Sequence, residues 1–250
     1  MTNNEPYKTK GIVLHSIKYG ERGFIVYMLT EAFGRVNYWV GSSKGGKPTI
    51  SNSKTSLSRI TLMQFTVIEF VGKPSKKGDL HHFVEVSNNY FPENVIFDYT
   101  KGAITLFMAE VIYKLIRNSD SNPILFDFVN QSIYTLNEIN SGVANFHIYF
   151  LLNLTRFLGY YPNENYEEDR FFDLTTGEFV VIRPTHNMYI EKKESRDLSK
   201  LQKISIDNLD SLKFNKMTRN TLVEAMIAYL NYHHETNVRI GSTEVLKEIF

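Results

Sequence analysis

Seven cations stand in two polar stretches of the first third of the chain. Lys44, Lys47, Lys54 and Arg59 lie in "GSSKGGKPTISNSKTSLSR", and Lys73, Lys76 and Lys77 lie in "GKPSKKGD". Ammonium and guanidinium groups at this density can follow a phosphate backbone, drawing affinity from Coulomb attraction and counterion release. Arg35 and Trp39 share one face of the segment "GRVNYWV". An indole beside such cations can stack a base, at about 1–3 kcal/mol per base and without demanding a sequence. Lys18 and Arg22, in the turn "KYGERG", extend the set. The same groups also fit a solubilising basic surface, with Trp39 packed against a second domain.

Other chemistry finds less support. "GSSKGGK" from Gly41 matches G-x-x-x-x-G-K, but Pro48 stands where a P-loop needs Ser or Thr for magnesium, and no amphipathic helix follows. The seven histidines, His15, His81, His82, His147, His186, His233 and His234, form no recognised metal spacing. The acidic run "ENYEED" reads as a solvated turn. The chain has no cysteine, which removes disulfides, thiolate nucleophiles and Cys-ligated zinc, and it has no G-x-S-x-G elbow. No catalytic site, metal site or cofactor is expected.

The elements that must position the cations follow from periodicity. "GIVLHSI", "GFIVYMLT", "GRVNYWV", "RITLMQFTVIEF" (from Arg59) and "HHFVEV" read as five short strands, enough for a small closed barrel. Two-residue alternation puts Val36, Tyr38 and Val40 on the opposite face from Arg35, Asn37 and Trp39. After about Asn88 the spacing becomes helical, with Ile104, Phe107, Met108, Val111, Ile112 and Leu115 on one stripe. Further helices are predicted over 123–140, 143–158 and 217–234, with a hairpin around Thr175 to Gly177. Charge divides in the same place. Residues 1–80 hold twelve Lys and Arg against five Asp and Glu, a net +7, and residues 81–250 net −6. Two domains are expected, 1–87 and 88–250. With no apolar run near the ~20 residues of a membrane span and no signal core, the expected setting is cytoplasmic.

The stretch "GIVLHSIKYGERGFIVYMLTEAFGRVNYWVGSSKGG" resembles the opening of the RecO family of bacterial recombination mediators. "LFMAEVIYKLI", "NPILFDFV", "FLLNLTRFLGYYPN" and "YLNYHHETNVRIGSTEVLKEIF" are similar to that family's helical segments, in order. The resemblance implies an N-terminal all-β OB-fold barrel followed by a mostly α-helical domain with a small β-hairpin insert. It implies binding of single- and double-stranded DNA, annealing of complementary strands, and, as partners, RecR, the C-terminal tail of single-strand binding protein and, indirectly, RecA. By position it places Arg35, Lys44, Lys47, Lys54 and Arg59 on nucleic acid and suggests association with the nucleoid; Arg156 is the candidate contact for the protein tail. Many members carry a zinc-binding element after the segment matching "LGYYPN". Here an insert over about 163–195 takes its place, and Phe171, Phe172, Phe179 and Val181 are expected to pack it without zinc. An adaptor whose basic barrel binds acidic protein tails is the competing reading, and a P-loop hydrolase stands third.

Overall fold

The computed structural model describes residues 5–21, 23–43, 48–49, 59–75, 80–116 and 121–250. The first strands are β1 (Tyr7–Tyr19), β2 (Gly23–Thr30), β3 (Gly34–Ser42) and a two-residue β4 (Pro48–Thr49). A 3-10 turn at Ile60–Leu62 then precedes β5 (Val67–Lys73) and β6 (Leu80–Tyr90). β1 pairs antiparallel with β2 and β5, β2 with β3, and β5 with β6; a parallel contact between β3 and β6 closes the ring. This is a closed five-stranded barrel in the strand order of an OB-fold.

Alternation builds the interior. Val26, Met28, Tyr38, Val40, Ile68, Phe70 and Phe83 form its buried core. Each such side chain contributes about 1.5–3 kcal/mol of burial. The Tyr7 hydroxyl meets the Tyr38 hydroxyl at 2.7 Å and also contacts His81 Nδ1. Burial, partly offset by that tyrosine contact, pushes Tyr7 up to about 12.

One expected strand is shorter than its sequence suggests. In "RITLMQF" the backbone turns instead of extending: Met63 N–H donates to Ile60 O at 3.0 Å, Thr66 Oγ1 donates to Ile60 O at 3.1 Å, and Phe65 takes φ 62°. The turn buries both Leu62 and Phe65, which strict alternation from Arg59 would send to opposite faces.

The helices are α1 (Glu93–Phe97), α2 (Tyr99–Leu115), α3 (Pro123–Glu138), α4 (Val143–Phe157), α5 (Lys192–Lys203), α6 (Lys216–His233) and α7 (Thr243–Ile249). Their starts follow capping chemistry. Asp98 accepts from the amides of Thr100 and Lys101, and Asn215 accepts from Thr218 N at 2.8 Å. Asn122 accepts from Leu125 N just before Pro123, which needs no amide partner at the first helical position. Contacts divide the chain into two compact units, Met1–Ile96 with Ala109–Tyr134 and Phe97–Met108 with Thr135–Phe250, so the boundary falls within α2 and α3.

In the second unit α4 packs against α6, and β7 (Phe171–Asp173), β8 (Glu178–Val180) and β9 (Tyr189–Ile190) form a small antiparallel sheet. Phe172 and Phe179 are buried with ring centres 4.9 Å apart. Phe171 is only half-buried, and Val181 is 61% exposed, so the expected four-residue packing reduces to two core rings. Val181 follows the last residue of β8, where the chain has left the sheet. Gly177 turns the hairpin at φ +71°, where a Cβ would stand 2.7 Å from the Tyr229 hydroxyl.

Candidate nucleic-acid interface

Because Val26, Tyr38 and Phe83 point inward, their neighbours Ile25, Trp39 and His82 point out. The register aligns them. Ile17 lies opposite Ile25, Ile25 opposite Trp39, Trp39 opposite His82, and His82 opposite Lys73. Five residues, one on each strand, therefore form an outward-pointing row that winds around the closed barrel. At about 4.8 Å between strands the row covers about 19 Å of arc around the barrel. Trp39 sits at its middle, half-buried, with the 60%-exposed Tyr19 edge-on at 6.0 Å between ring centres.

Gly23 allows the indole its position. A Cβ there would stand 2.2 Å from the Val40 carbonyl and 2.8 Å from Trp39 Cζ2, so the ring lies directly over a backbone with no side chain.

Two rows along, the same outer face is occupied. The Arg35 guanidinium donates from Nη1 to the carbonyls of Tyr113 at 2.8 Å and Ile116 at 3.3 Å, and lies 4.6 Å from the Tyr113 ring centre and 5.4 Å from that of Tyr27. A cation here satisfies the last carbonyls of α2 and complements the negative end of its dipole. His15 stands 5.2 Å from the Tyr113 ring; burial lowers its pKa, with Glu110 pulling the other way. The end of α2 thus covers the barrel at Arg35 and leaves the Trp39 row outside it.

The remaining expected residues distribute as follows. Lys18 is exposed near the end of β1, and Lys73 is half-buried in the Trp39 row. Arg59 precedes the 3-10 turn and lines a cleft of about 390 Å³ with His15, Phe24, Leu62 and Met63. Arg22, Lys44, Lys47, Lys54, Lys76 and Lys77 lie outside the described residues. Arg156, on α4, packs over Tyr161 at 4.1 Å and pairs with Glu164 at 3.5 Å. Both ends of the P-loop-like segment lie in strands, Gly41 pairing with Thr49 and Ser42 with Pro48, so among the described residues a strand and not a helix follows it. His82, Tyr19, Ile17 and Ile25 were not among the expected site residues. Only the parallel β3–β6 pairing brings His82 to Trp39, and no local pattern encodes it.

Comparison with known proteins agrees with the barrel and its helical continuation. Residues 1–89 match the family model for the recombination protein O N terminal, and residues 96–239 match that for the recombination protein O C terminal. This chain belongs to the RecO family. A DNA repair protein RecO from Phocaeicola vulgatus is 30% identical over 244 residues, covering 97% of this chain and 98% of the relative. One from Bacteroides fragilis is 32% identical over 246 residues, and one from Flavobacterium psychrophilum is 31% identical over 244, each covering 97% of this chain and 98% of the relative. In this RecO chain no described helix is long and apolar enough to cross a membrane. The chain has no cysteine, and within the insert the Phe172 and Phe179 rings are in contact.

Proposed function

We propose that this protein is a non-enzymatic DNA repair and recombination mediator whose barrel holds DNA, single- or double-stranded, by its backbone and by stacking on Trp39. The outward row through Trp39 carries the reading, because it sets an aromatic platform in register with the cation Lys73. Lys18 and Arg59, with the lysines of the two polar stretches, supply further phosphate contacts. Arg35 is left out of this surface, since helix carbonyls hold its guanidinium.

Neutralising one strand reduces its repulsion for a complement, so annealing follows from the same contacts. The helical region recruits the tail of single-strand binding protein, with Arg156 as a contact, and the protein acts with RecR to help load RecA. The insert holds its shape through its aromatic pair, without zinc.

The test is annealing of complementary labelled oligonucleotides by wild type and by Trp39→Ala/Lys73→Gln. Rapid annealing by wild type, slowed in a variant that keeps its melting temperature, supports the proposal. Equal rates in both proteins place the strands elsewhere, and oligonucleotide binding only in the presence of a partner protein supports the adaptor reading.

A further inference from the structure

We infer that the exposed face of α5, in the second unit, is a further surface for a nucleic-acid backbone, built from residues other than those of the barrel row. The inference rests on the mediator reading above. Lys192, Lys193, Arg196, Lys200 and Lys203 are all exposed. At 100° per residue they fall within an arc of about 100°, while Leu198 and Leu201 occupy the buried side.

The concentration is unusual for its setting. Residues 81–250 net −6, yet five of their sixteen Lys and Arg stand on this one helical face. Helix stability accounts for Lys200 and Lys203, which complement the dipole in the last turn, but not for the other three. Lys192 and Lys193 lie at the positive end of the α5 dipole, and Lys192–Arg196 and Arg196–Lys200 are like-charge pairs at i,i+4. Each of these contacts opposes the helix by a few tenths of a kcal/mol.

Acids flank the stripe and offset part of its charge. Asp197 pairs with Lys200 at 2.7 Å and Glu194 approaches Lys193 at 3.6 Å. Tyr166 and then Glu168 and Asp169 raise the pKa of Arg196. Lys192 lies over the Phe171 ring at 5.3 Å. The helix itself carries five cations against two acids, and Glu168 and Asp169 beside Arg196 bring the local count to five against four.

The occupant that fits is a phosphate backbone. From Lys192 to Lys203 the helix rises about 16 Å. Phosphates of one duplex strand recur about every 3.4 Å of axis, so the stripe spans about five of them. Four of the five cations are lysines, point charges on flexible stems that suit a repeated charge without fixed geometry.

The experiment compares the full chain with Lys192→Gln/Arg196→Gln/Lys200→Gln/Lys203→Gln, measuring the annealing rate of complementary oligonucleotides and the salt dependence of single-strand binding. The variant should anneal at least about tenfold more slowly, and its single-strand binding should show a salt slope in log K smaller by up to about 2.8, or 0.7 for each of four lost phosphate contacts. A Lys192→Arg/Lys200→Arg/Lys203→Arg protein should keep the wild-type rate; loss there as well would make the effect structural and overturn the inference. Unchanged annealing in the glutamine variant overturns it too, leaving the mediator reading intact. So does an annealing rate unchanged while binding of a polyglutamate probe is lost, which marks a surface for acidic peptide. A wild type that binds no oligonucleotide removes the mediator reading and this inference together.

Discussion

Arg35 donates from Nη1 to the carbonyl of Tyr113 at 2.8 Å while its guanidinium covers the ring of the same residue, 78 positions later in the chain. One arginine thereby closes the end of a helix against the outer face of the barrel. Charge-assisted hydrogen bonds of this kind contribute about 1.5–3 kcal/mol. Arg35→Ala should lower unfolding free energy by that amount in denaturant titration, with Arg35→Lys recovering part of it. The salt slope of DNA binding should stay unchanged. A fully stable Arg35→Ala protein with a shallower slope would return Arg35 to the nucleic acid.

Gly23→Ala tests the seat of Trp39. The added methyl meets the Val40 carbonyl and the indole, so one of them must move. Overpacking of this kind costs about 1–3 kcal/mol. Thermal melting should shift downward and the tryptophan emission maximum should move; an unaltered emission spectrum would show that the ring does not lie over Gly23.

His147 gives a pH dependence. It is buried in the second unit, stacked on Phe250 at 5.2 Å, and burial first, with Arg219 second, lowers its pKa from 6.5 to about 3. Between those values the unfolded chain binds a proton that the folded chain refuses. The stabilising contribution is therefore complete above pH 6.5 and declines as pH falls toward 3. The slope approaches about 1.4 kcal/mol per pH unit. Unfolding free energies of wild type and His147→Phe from denaturant titration, followed from pH 7 to pH 4, should diverge in slope by that amount. Parallel curves would mean that the imidazole titrates normally.

The insert should be indifferent to chelation. With the Phe172–Phe179 pair at its centre and no thiolates in the chain, treatment with EDTA should leave the melting temperature unchanged, and elemental analysis should find no stoichiometric zinc. One zinc per chain would refute this account of the insert.

The barrel was legible because alternation is local: Val36, Tyr38 and Val40 announce their inward face without help from elsewhere. That pattern gives Arg35 and Trp39 the same outward face and cannot separate their fates. The separation comes from α2, whose last turn covers one and not the other. The row from Ile17 to Lys73 was hidden for a similar reason, since register between distant strands is set by tertiary pairing. The helix α5 escaped a search for apolar periodicity because Ser195 and Ser199 share its buried side with only two leucines, Leu198 and Leu201. Around Ile60 the residues read as a strand, and the positive φ of Phe65 that breaks it has no glycine to signal it.

Trp39 is the single tryptophan of the chain, so its intrinsic fluorescence reports directly on the centre of the proposed surface. The decisive measurement is that fluorescence during titration with an unlabelled single-stranded oligonucleotide at several salt concentrations. Saturable quenching, with affinity falling by about 0.7 in log K per unit log salt for each phosphate neutralised, is the predicted result. Tight binding of the same oligonucleotide by an independent method, with the emission of Trp39 unchanged, would contradict it.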